Sequence, residues 1–301
     1  MKKIMITIGV SFYNDENTIE EMINSVINQS YCDWKMIMMD DGGEDGSLEI
    51  VKKYVEKDNR IIVYSDGKNL GLQKRLNMLI DLCDTKYFAR MDADDVMVPS
   101  RLEKQLVFLE QNGEFDVVGG NAYSILSNGS LLGKRNLSVV PSDIYNVFKN
   151  GVFIHPTVMG KSAWFKQNKY CEEKYALRAE DYELWCRTFD DSKFYIIEEP
   201  LIFYRENESI NKSISNTIDG LISVLRIIKK LASKKVGYKT IYLYVYFMWH
   251  LIINWLLLKF GYSEAIVKRR FKKLDEKQYS QVICLYSNAV TVNRRDEAWD
   301  Q

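Results

Sequence analysis

Three aspartates stand close together in the segment Asp92-Ala93-Asp94-Asp95, directly after an apolar run that ends at Met91. Side chains alternate between the two faces of a strand, so Asp92 and Asp94 would project to the same side where this strand ends. Converging carboxylates offer the hard oxygen ligands that Mg²⁺ and Mn²⁺ prefer, and such ions complete their coordination with water and phosphate. An isolated Asp-x-Asp is more often a solvated acidic turn, but here other acidic groups accompany it.

Polar residues also follow two other apolar runs. Asn14-Asp15 comes after Ile4–Ser11, and Asp40-Asp41 comes after Lys35–Met39. In parallel sheets, ligands bind at the carboxyl ends of the strands, where these groups would lie. Carboxylates gathered at one edge repel each other unless a cation or sugar hydroxyls occupy the space between them. The pattern therefore predicts one cavity shared by these clusters.

The elements that must position these groups alternate between strand and helix through the first 120 residues. The predicted strands are Ile4–Ser11, Lys35–Met39, Arg60–Tyr64, Tyr87–Met91 and Val117–Gly119, and the predicted helices are Asn17–Gln29, Ser47–Val55, Leu70–Cys83 and one from Pro99 to about Glu110. Such alternation indicates βαβ units, hence an α/β fold with a mostly parallel central sheet and flanking helices. From about 120 to 215 the pattern is mixed, and beyond 215 the sequence predicts helices alone.

Composition argues against several classes of protein. Lys plus Arg and Asp plus Glu both number 41 in 301 residues, so charge gives no reason to expect a nucleic-acid partner. The five cysteines are widely spaced without a Cys-x-x-Cys pair, which argues against disulfides or a zinc site and suits a reducing cytosol. The N-terminal apolar run soon meets Asp15 and Glu16, so we expect a buried strand rather than a signal peptide, in a cytoplasmic protein.

Eight segments, in this order, resemble the motifs of family 2 inverting glycosyltransferases of the GT-A fold. They are Val10-Ser11-Phe12-Tyr13-Asn14, Met39-Asp40-Asp41-Gly42, Asn69-Leu70-Gly71-Leu72, Arg90-Met91-Asp92-Ala93-Asp94-Asp95, Pro99-Ser100-Arg101-Leu102-Glu103-Lys104-Gln105, His155-Pro156-Thr157, Glu180-Asp181-Tyr182-Glu183-Leu184-Trp185 and Pro200-Leu201-Ile202-Phe203-Tyr204-Arg205. The resemblance covers residues 4 to 210 of the chain. Each motif alone is weak, whereas eight in the right order are specific.

The resemblance implies a GT-A nucleotide-diphospho-sugar transferase fold with a C-terminal helical extension. Residues 1–120 would be the nucleotide-sugar-binding half of the catalytic domain, 121–215 the acceptor-binding half, and 216–301 a helical region for membrane association or dimerisation. The implied reaction is inverting transfer of a hexose or related sugar from a nucleotide-diphosphate sugar, such as a UDP-sugar. The acceptor would be a hydroxyl of a saccharide or lipid-linked saccharide, in surface polysaccharide or glycolipid biosynthesis.

The resemblance also implies roles at the matching positions. Ser11, Phe12 and Asn14 would line the nucleotide-sugar pocket. In the same pocket, Asp41 would accept a hydrogen bond from the base, and Asp92 would contact the ribose or the waters of the metal. Asp94 would be the principal ligand of Mn²⁺ or Mg²⁺, with Asp92 and Asp95 beside it, and the metal would stabilise the departing diphosphate. Asp181 would be the general base that takes the proton of the attacking hydroxyl.

Three positions keep two interpretations. His155 lies between apolar runs, where a structural histidine is common, although the family pattern favours contact with the sugar or diphosphate. Arg75 could reach the diphosphate or an anionic acceptor, or it could be a solvent-facing helix charge. Glu180 is as well explained by the favourable electrostatics of a helix start as by function.

The segment Thr240–Leu258 contains no Asp, Glu, Lys or Arg. An uncharged run of this length qualifies as a membrane-spanning candidate. It is rich in Tyr and Trp, which prefer the membrane–water interface, and the basic segment 268–273 suits anionic headgroups. We therefore expect peripheral contact of 236–273 with the inner face of the cell membrane. A buried helix, a homodimer interface and a true span are the alternatives.

Two other functions fit parts of the pattern. A nucleotidyltransferase on a similar fold would need a glycine-rich basic loop near the N-terminus, and Ser11-Phe12-Tyr13-Asn14-Asp15 is neither glycine-rich nor basic. A non-catalytic relative that binds a nucleotide or a protein would have no need of a general base such as Asp181. The sequence therefore favours the transferase.

Overall fold

The computed structural model describes residues 4–135, 139–206, 210–259 and 271–291. Its first part alternates strands and helices as the sequence predicts. The elements are β1 (Ile6–Phe12), α1 (Ile19–Ile27), β2 (Trp34–Asp40), α2 (Ser47–Val55), β3 (Ile61–Tyr64), α3 (Leu72–Leu82), β4 (Tyr87–Asp92), β5 (Val96–Met97), α4 (Arg101–Gln111) and β6 (Val117–Ile125). The predicted strand Val117–Gly119 is too short, because polar Asn121 and Ser124 continue the same ladder against a later strand.

The chain continues with shorter elements that complete the same sheet. They are β7 (Leu131–Arg135), α5 (Ile144–Asn150), a 3₁₀ turn at His155–Thr157, β8 (Met159–Lys161), α6 (Ser162–Gln167), α7 (Glu180–Thr188) and β9 (Phe194–Arg205). Two further 3₁₀ turns flank α7, at Lys174–Ala176 and Phe189–Asp191. Asp143 caps α5 by accepting a hydrogen bond from the backbone N–H of Asn146.

One nine-stranded sheet runs in the order β3-β2-β1-β4-β8-β6-β9-β5, with β7 paired to the outer part of β6. The pairs β3–β2, β2–β1, β1–β4 and β6–β9 are parallel, whereas β8 pairs antiparallel with both β4 and β6. This confirms the predicted α/β class. The sheet, expected to be mostly parallel, is mixed, because β8 pairs antiparallel with both its neighbours and β5 and β7 also join it in antiparallel pairs. The expected division at residue 120 lies inside β6, so the regions on either side of it contribute to one sheet.

Burial explains why the first elements form as they do. Strand β1 is apolar along its length, and Ile6, Ile8 and Val10 are fully buried between two layers. Helix α1 repeats apolar side chains at helical spacing, and its Ile19, Met22, Ile23 and Val26 are fully buried against the sheet. The carboxyl ends of β1, β2 and β4 therefore meet at one edge, where polar residues begin.

The C-terminal part is helical in α8 (Ile210–Ile227), a π-helical turn (Ile228–Ala232), α9 (Ser233–Val236), a 3₁₀ turn (Gly237–Lys239), α10 (Thr240–Lys259) and α11 (Glu276–Val290). The expectation of helices alone beyond 215 is wrong at Lys272. Its backbone instead exchanges two hydrogen bonds of 2.8 Å with Lys134 of β7. Of the predicted basic segment, residues 268–270 lie outside the described residues.

Helix α10 presents an apolar surface that the described residues leave uncovered. The helical stretch Ile218–Leu257 is long and apolar enough to cross a membrane, and only 6% of its apolar window is buried. Trp249 is 60% exposed and Trp255 is 50% exposed. A helix packed in the core would bury such rings, so the observed exposure argues against the buried-helix interpretation.

Gly160 tests the packing where β8 joins the two halves of the sheet. A Cβ at this position would lie 2.6 Å from the carbonyl oxygen of Asp116 and 2.9 Å from Val117. Since a backbone atom cannot move aside cheaply, Gly160→Ala is expected to lower the free energy of unfolding by about 1–3 kcal/mol in urea denaturation. Gly113→Ala is the control, since a Cβ there meets nothing within 4 Å. Equal midpoints for the two variants would contradict this packing.

Candidate active site

Strand register brings the predicted polar clusters to one edge of the sheet. Ser11 of β1 lies opposite Met39 of β2 and opposite Asp92 of β4, and Phe12 lies opposite Asp40. The loops after these three strands therefore start at the same level. Any ligand bound between the loops after β1 and β4 would contact the end of β4.

Three carboxylates at the end of β4 form an acidic cluster, which consists of Asp92, Asp94 and Asp95. One oxygen of each lies within 4.8 Å of the others. Asp95 is buried, and its Oδ1 accepts from the backbone N–H of Arg205 at 2.8 Å, while its Oδ2 has no partner among the described residues. A buried carboxylate oxygen without a donor is costly unless a cation or proton approaches it. The cluster thus fits a hard divalent cation such as Mg²⁺ or Mn²⁺.

Two buried arginines lie behind the acidic cluster. Arg90 forms a two-pronged ion pair with Asp92, and its Nε has no partner among the described residues. Arg101 of α4 is fully buried and donates to the backbone carbonyls of Arg90 and Val158. A paired guanidinium orients Asp92 while leaving that carboxylate partly exposed, at 28%.

Burial and neighbouring negative charge disfavour ionisation of Asp94 and Asp95. Burial, reinforced by Asp92 and Asp15, raises the pKa of Asp94 to about 7. Burial, with Asp94 and Asp92 nearby, also raises the pKa of Asp95 well above its usual value. A bound cation reverses this preference, because its positive charge favours the ionised carboxylates.

The predicted base contact, Asp41, is engaged by the protein itself. Its Oδ1 accepts from Arg75 Nε at 2.8 Å and from the backbone N–H groups of Leu70 and Gly71, at 2.8 Å and 3.2 Å. Arg75 is only 1% exposed and also donates to Asp66 and to the carbonyl of Lys68. The interpretation of Arg75 as a solvent-facing helix charge is therefore wrong. Its ion pair with Asp41 joins α3 to the end of β2.

The β1 loop is shaped by short polar contacts. Asn14 has a left-handed backbone with φ of 57°, and its side-chain carbonyl accepts from the backbone N–H of Glu44 at 2.8 Å. Ser11 is partly exposed at the end of β1, whereas the Phe12 ring is buried. Ser11 and Asn14 therefore lie where a ligand could reach them, and Phe12 supports them from the core.

Two clefts border the acidic cluster, and the larger of them has a volume of about 520 Å³. It is lined by Arg90, Asp92, Arg135, Asn150, Phe153, Ile154, His155, Pro156, Glu180, Asp181 and Tyr204. Glu180 and Asp181 enter it from the first turn of α7, where the helix dipole favours negative charge. Burial raises the pKa of Asp181, although the backbone N–H of Tyr182 opposes the shift. Burial and the charge of Asp181 raise the pKa of Glu180 to about 7.

His155 lies in the wall of the larger cleft, in the 3₁₀ turn before β8. Its Nε2 lies 2.8 Å from the hydroxyl of buried Tyr170. Burial, together with the charge of Arg90, lowers the pKa of His155 well below its usual value, so the ring is neutral. Both interpretations fit this position, because the ring has a structural partner and also borders the cleft.

The predicted residues do not share a single cavity. Asp92 and Asp181 line the larger cleft, whereas Asp94 lines an adjoining smaller cleft of about 220 Å³ together with Asn14 and Asp15. Asp41 lines neither cleft. Within the acidic cluster, Asp92 thus lines the larger cleft and Asp94 lines the smaller one. Asp41 pairs with Arg75 and belongs to the support beneath the β2 loop.

Sequence reasoning assigned no role to several residues that line the clefts. Arg135 and Tyr204 both line the larger cleft and contact each other, with the guanidinium stacked over the ring at 4.7 Å from its centre. Arg205 borders the smaller cleft. Tyr204 and Arg205 fall in the last matched motif, and this motif could have pointed to them. Arg135 is the last residue of β7, which belongs to no matched motif.

Comparison with known proteins assigns this chain to a family. Residues 7–177 match the model of Glycosyl transferase family 2, and the chain belongs to this family. It is 35% identical over 210 residues to the uncharacterized glycosyltransferase MJ1057 of Methanocaldococcus jannaschii, covering 68% of this chain and 72% of that protein. It is 34% identical over 221 residues to the O-antigen biosynthesis glycosyltransferase WbnJ of Escherichia coli, covering 69% and 83%.

Solved structures show the same fold at lower identity. The mannosyltransferase PcManGT from Pyrobaculum calidifontis, in complex with GDP-Man and Mn²⁺, superposes with a TM-score of 0.61 at 15% identity, covering 96% of this chain and 86% of that one. S. aureus TarS 1–349 with UDP-GlcNAc gives a TM-score of 0.58 at 18% identity, covering 95% and 82%. In a longer TarS structure, this chain spans 43% of the length. The predicted GT-A fold is confirmed.

The Asp41–Arg75 ion pair generates a stability prediction. Arg75→Met removes the guanidinium and leaves Asp41 buried without its countercharge, so the free energy of unfolding is expected to fall by roughly 3–5 kcal/mol. Urea denaturation measures the change. Lys74→Met is the matched control, since Lys74 is the exposed neighbour on the same helix. A variant at 75 as stable as this control would contradict a structural role for the pair.

Proposed function

We propose that the protein catalyses inverting transfer of a sugar from a nucleotide-diphosphate sugar, specifically a UDP-sugar, to an acceptor hydroxyl. The observation that carries this proposal is that Asp181 and Asp92 line one cleft at the edge of the acidic cluster. Asp92 thus belongs to the cluster suited to a cation, and Asp181 is available for an acceptor in the same cleft. The family assignment supports glycosyl transfer over nucleotidyl transfer.

The two clefts suggest how the substrates are divided. The donor nucleotide would lie across the ends of β1 and β4, against Ser11, Asn14 and the acidic cluster. The acceptor hydroxyl would enter the larger cleft near Asp181, which takes its proton as the oxygen attacks the anomeric carbon from the face opposite the diphosphate. Inversion follows from this direct displacement.

Asp94 is proposed as the principal protein ligand of Mn²⁺ or Mg²⁺, with Asp92 and Asp95 beside it. When bound, the cation would neutralise the diphosphate and stabilise the charge that develops as it departs. Arg90 holds Asp92 in place, and neutral His155 lines the wall facing the sugar. The Mn²⁺ in the PcManGT structure supports this assignment by analogy of fold.

The acceptor is proposed to be a saccharide or lipid-linked saccharide used in surface polysaccharide or glycolipid biosynthesis. The similarity to WbnJ, an O-antigen biosynthesis enzyme, supports this proposal. Peripheral contact of α10 with the inner face of the membrane would bring the larger cleft close to a lipid-linked substrate. Residues 220–263 contain seven Lys or Arg and no Asp or Glu, so their charge complements anionic lipid.

Asp94→Asn tests the metal ligand. The substitution keeps the side-chain shape but removes the charge, so UDP binding measured by isothermal titration calorimetry in Mn²⁺ should fall to the level seen without metal. Asp81→Asn is the control, because Asp81 is exposed and pairs only with Lys169 in the described structure. Mn²⁺-enhanced binding that survives in the Asp94 variant would rule out this ligand.

Asp181→Asn tests the general base. Donor binding is expected to be unchanged while kcat falls by about 10²–10⁴-fold, because the acceptor proton has no base. The wild-type rate should also decline as pH falls through the raised pKa of Asp181, since only the ionised carboxylate accepts a proton. Asp191→Asn, at an exposed position just after α7, is the control. Full turnover by the Asp181 variant would refute the assignment.

Membrane contact is tested by substitution rather than truncation, because α11 packs against the catalytic region. The double variant Trp249→Glu and Trp255→Glu should lose co-flotation with phosphatidylglycerol vesicles, since each charge opposes insertion at the interface. Tyr64→Glu, at an exposed ring on β3, should float like the wild type. A double variant that floats as well as the wild type would contradict membrane contact through α10.

A further inference from the structure

Arg205 is tied to the acidic cluster through its backbone and its side chain. Its backbone N–H donates to Asp95 Oδ1 at 2.8 Å, and its Nε donates to the carbonyl oxygen of Asp94 at 2.7 Å. Its Nη1 donates to the carbonyls of Leu126 and Ser127, which lie at the tip of the β6–β7 hairpin. One buried guanidinium therefore joins the loop that carries the cluster to a neighbouring hairpin.

The same guanidinium reaches the C-terminal helix through one carboxylate. Arg205 Nη2 donates to Glu21 Oε2 of α1 at 2.6 Å, and the Tyr286 hydroxyl of α11 donates to the same oxygen at 2.9 Å. The Tyr286 ring also packs edge-on against Phe203, with 5.1 Å between ring centres. A continuous path of contacts thus runs from α11 to the backbone of Asp94.

We infer that Arg205 is a positioning residue for the acidic cluster, and that α11 strengthens its hold through Tyr286 and Glu21. This inference rests on the proposed metal dependence. Arg205 fixes the carbonyl of Asp94 and one oxygen of Asp95, so it sets the orientation in which the remaining carboxylate oxygens converge. If the contacts of Arg205 are weakened, the loop that carries Asp94 and Asp95 spends less time in the conformation in which the carboxylates converge. The apparent dissociation constant for a cation then rises by the factor by which this population falls.

Residue type explains why an arginine suits this position. Its planar fork places Nε and both terminal nitrogens toward three different elements at once, which a lysine cannot do. Two of its partners are backbone carbonyls of the hairpin and one is the carbonyl of Asp94, so the contacts specify geometry more than charge. Glu21 supplies the countercharge and is 40% exposed, which allows it to be changed without disturbing the core.

Three variants test the inference in the full-length chain. Arg205→Lys keeps the charge but loses the fork, Glu21→Gln weakens the link, and Tyr286→Phe removes one hydroxyl while keeping the ring. Mn²⁺ affinity is measured by electron paramagnetic resonance, and amide hydrogen exchange of 93–96 is measured in metal-free protein. Tyr279→Phe on the same helix is the control, because its ring is 43% exposed and lies on the outer surface.

Arg205→Lys is expected to weaken Mn²⁺ binding by about 10–100-fold, the range typical of residues that orient metal ligands. The other two variants should weaken it by smaller factors, and all three should speed exchange at 93–96. At saturating Mn²⁺, kcat should return close to the wild-type value, which a damaged catalytic group would not allow.

Two failures are distinguishable. If the wild type binds Mn²⁺ and the three variants match it in affinity and exchange, the inference is overturned while the proposed function stands. If the wild type does not bind Mn²⁺, the proposed metal chemistry is overturned and its link to Arg205 falls with it. In that case the exchange rates still decide whether Arg205 holds the loop.

Discussion

Repulsion among desolvated carboxylates is the constraint on which the rest of the site depends. Asp92, Asp94 and Asp95 are held within 4.8 Å of one another where water is scarce, and a fold would avoid this without a compensating positive charge. Arg90 pairs directly with Asp92, and its charge only partly opposes the raised pKa values of Asp94 and Asp95. Asp95 also keeps a buried oxygen without a donor among the described residues. We propose that a divalent cation and the phosphates it carries supply the missing positive charge and complete the arrangement.

Both halves of the sheet place residues around the acidic cluster. The carboxyl ends of the parallel strands β1, β2 and β4 meet at one edge, and the antiparallel pairing of β8 with β4 and β6 brings His155 beside that edge. Helix α7 then presents Asp181 to a cleft that Asp92 also lines. The carboxylates of Asp92 and Asp181 thus share the larger cleft, whereas Asp94 lines the smaller one.

Local patterns were sufficient to predict the βαβ elements, because the apolar periodicity of β1 and α1 directly reflects burial. The order of motifs also pointed to the family. The roles of Asp41 and Arg75 were harder to predict. An aspartate at a strand end gives the same sequence pattern whether it binds a ligand or pairs with a buried arginine 34 residues later. The contacts of Arg205 and Tyr286 could not be predicted for a related reason, since their link through Glu21 spans 265 residues.

The most direct test of the account is a crystal structure with UDP and Mn²⁺, with the ion located by anomalous scattering. One ion is expected within coordination distance of Asp94 and of both phosphates, with Asp181 facing the open side of the β-phosphate across the larger cleft. An ion bound elsewhere, or a diphosphate placed away from Asp92, Asp94 and Asp95, would contradict it.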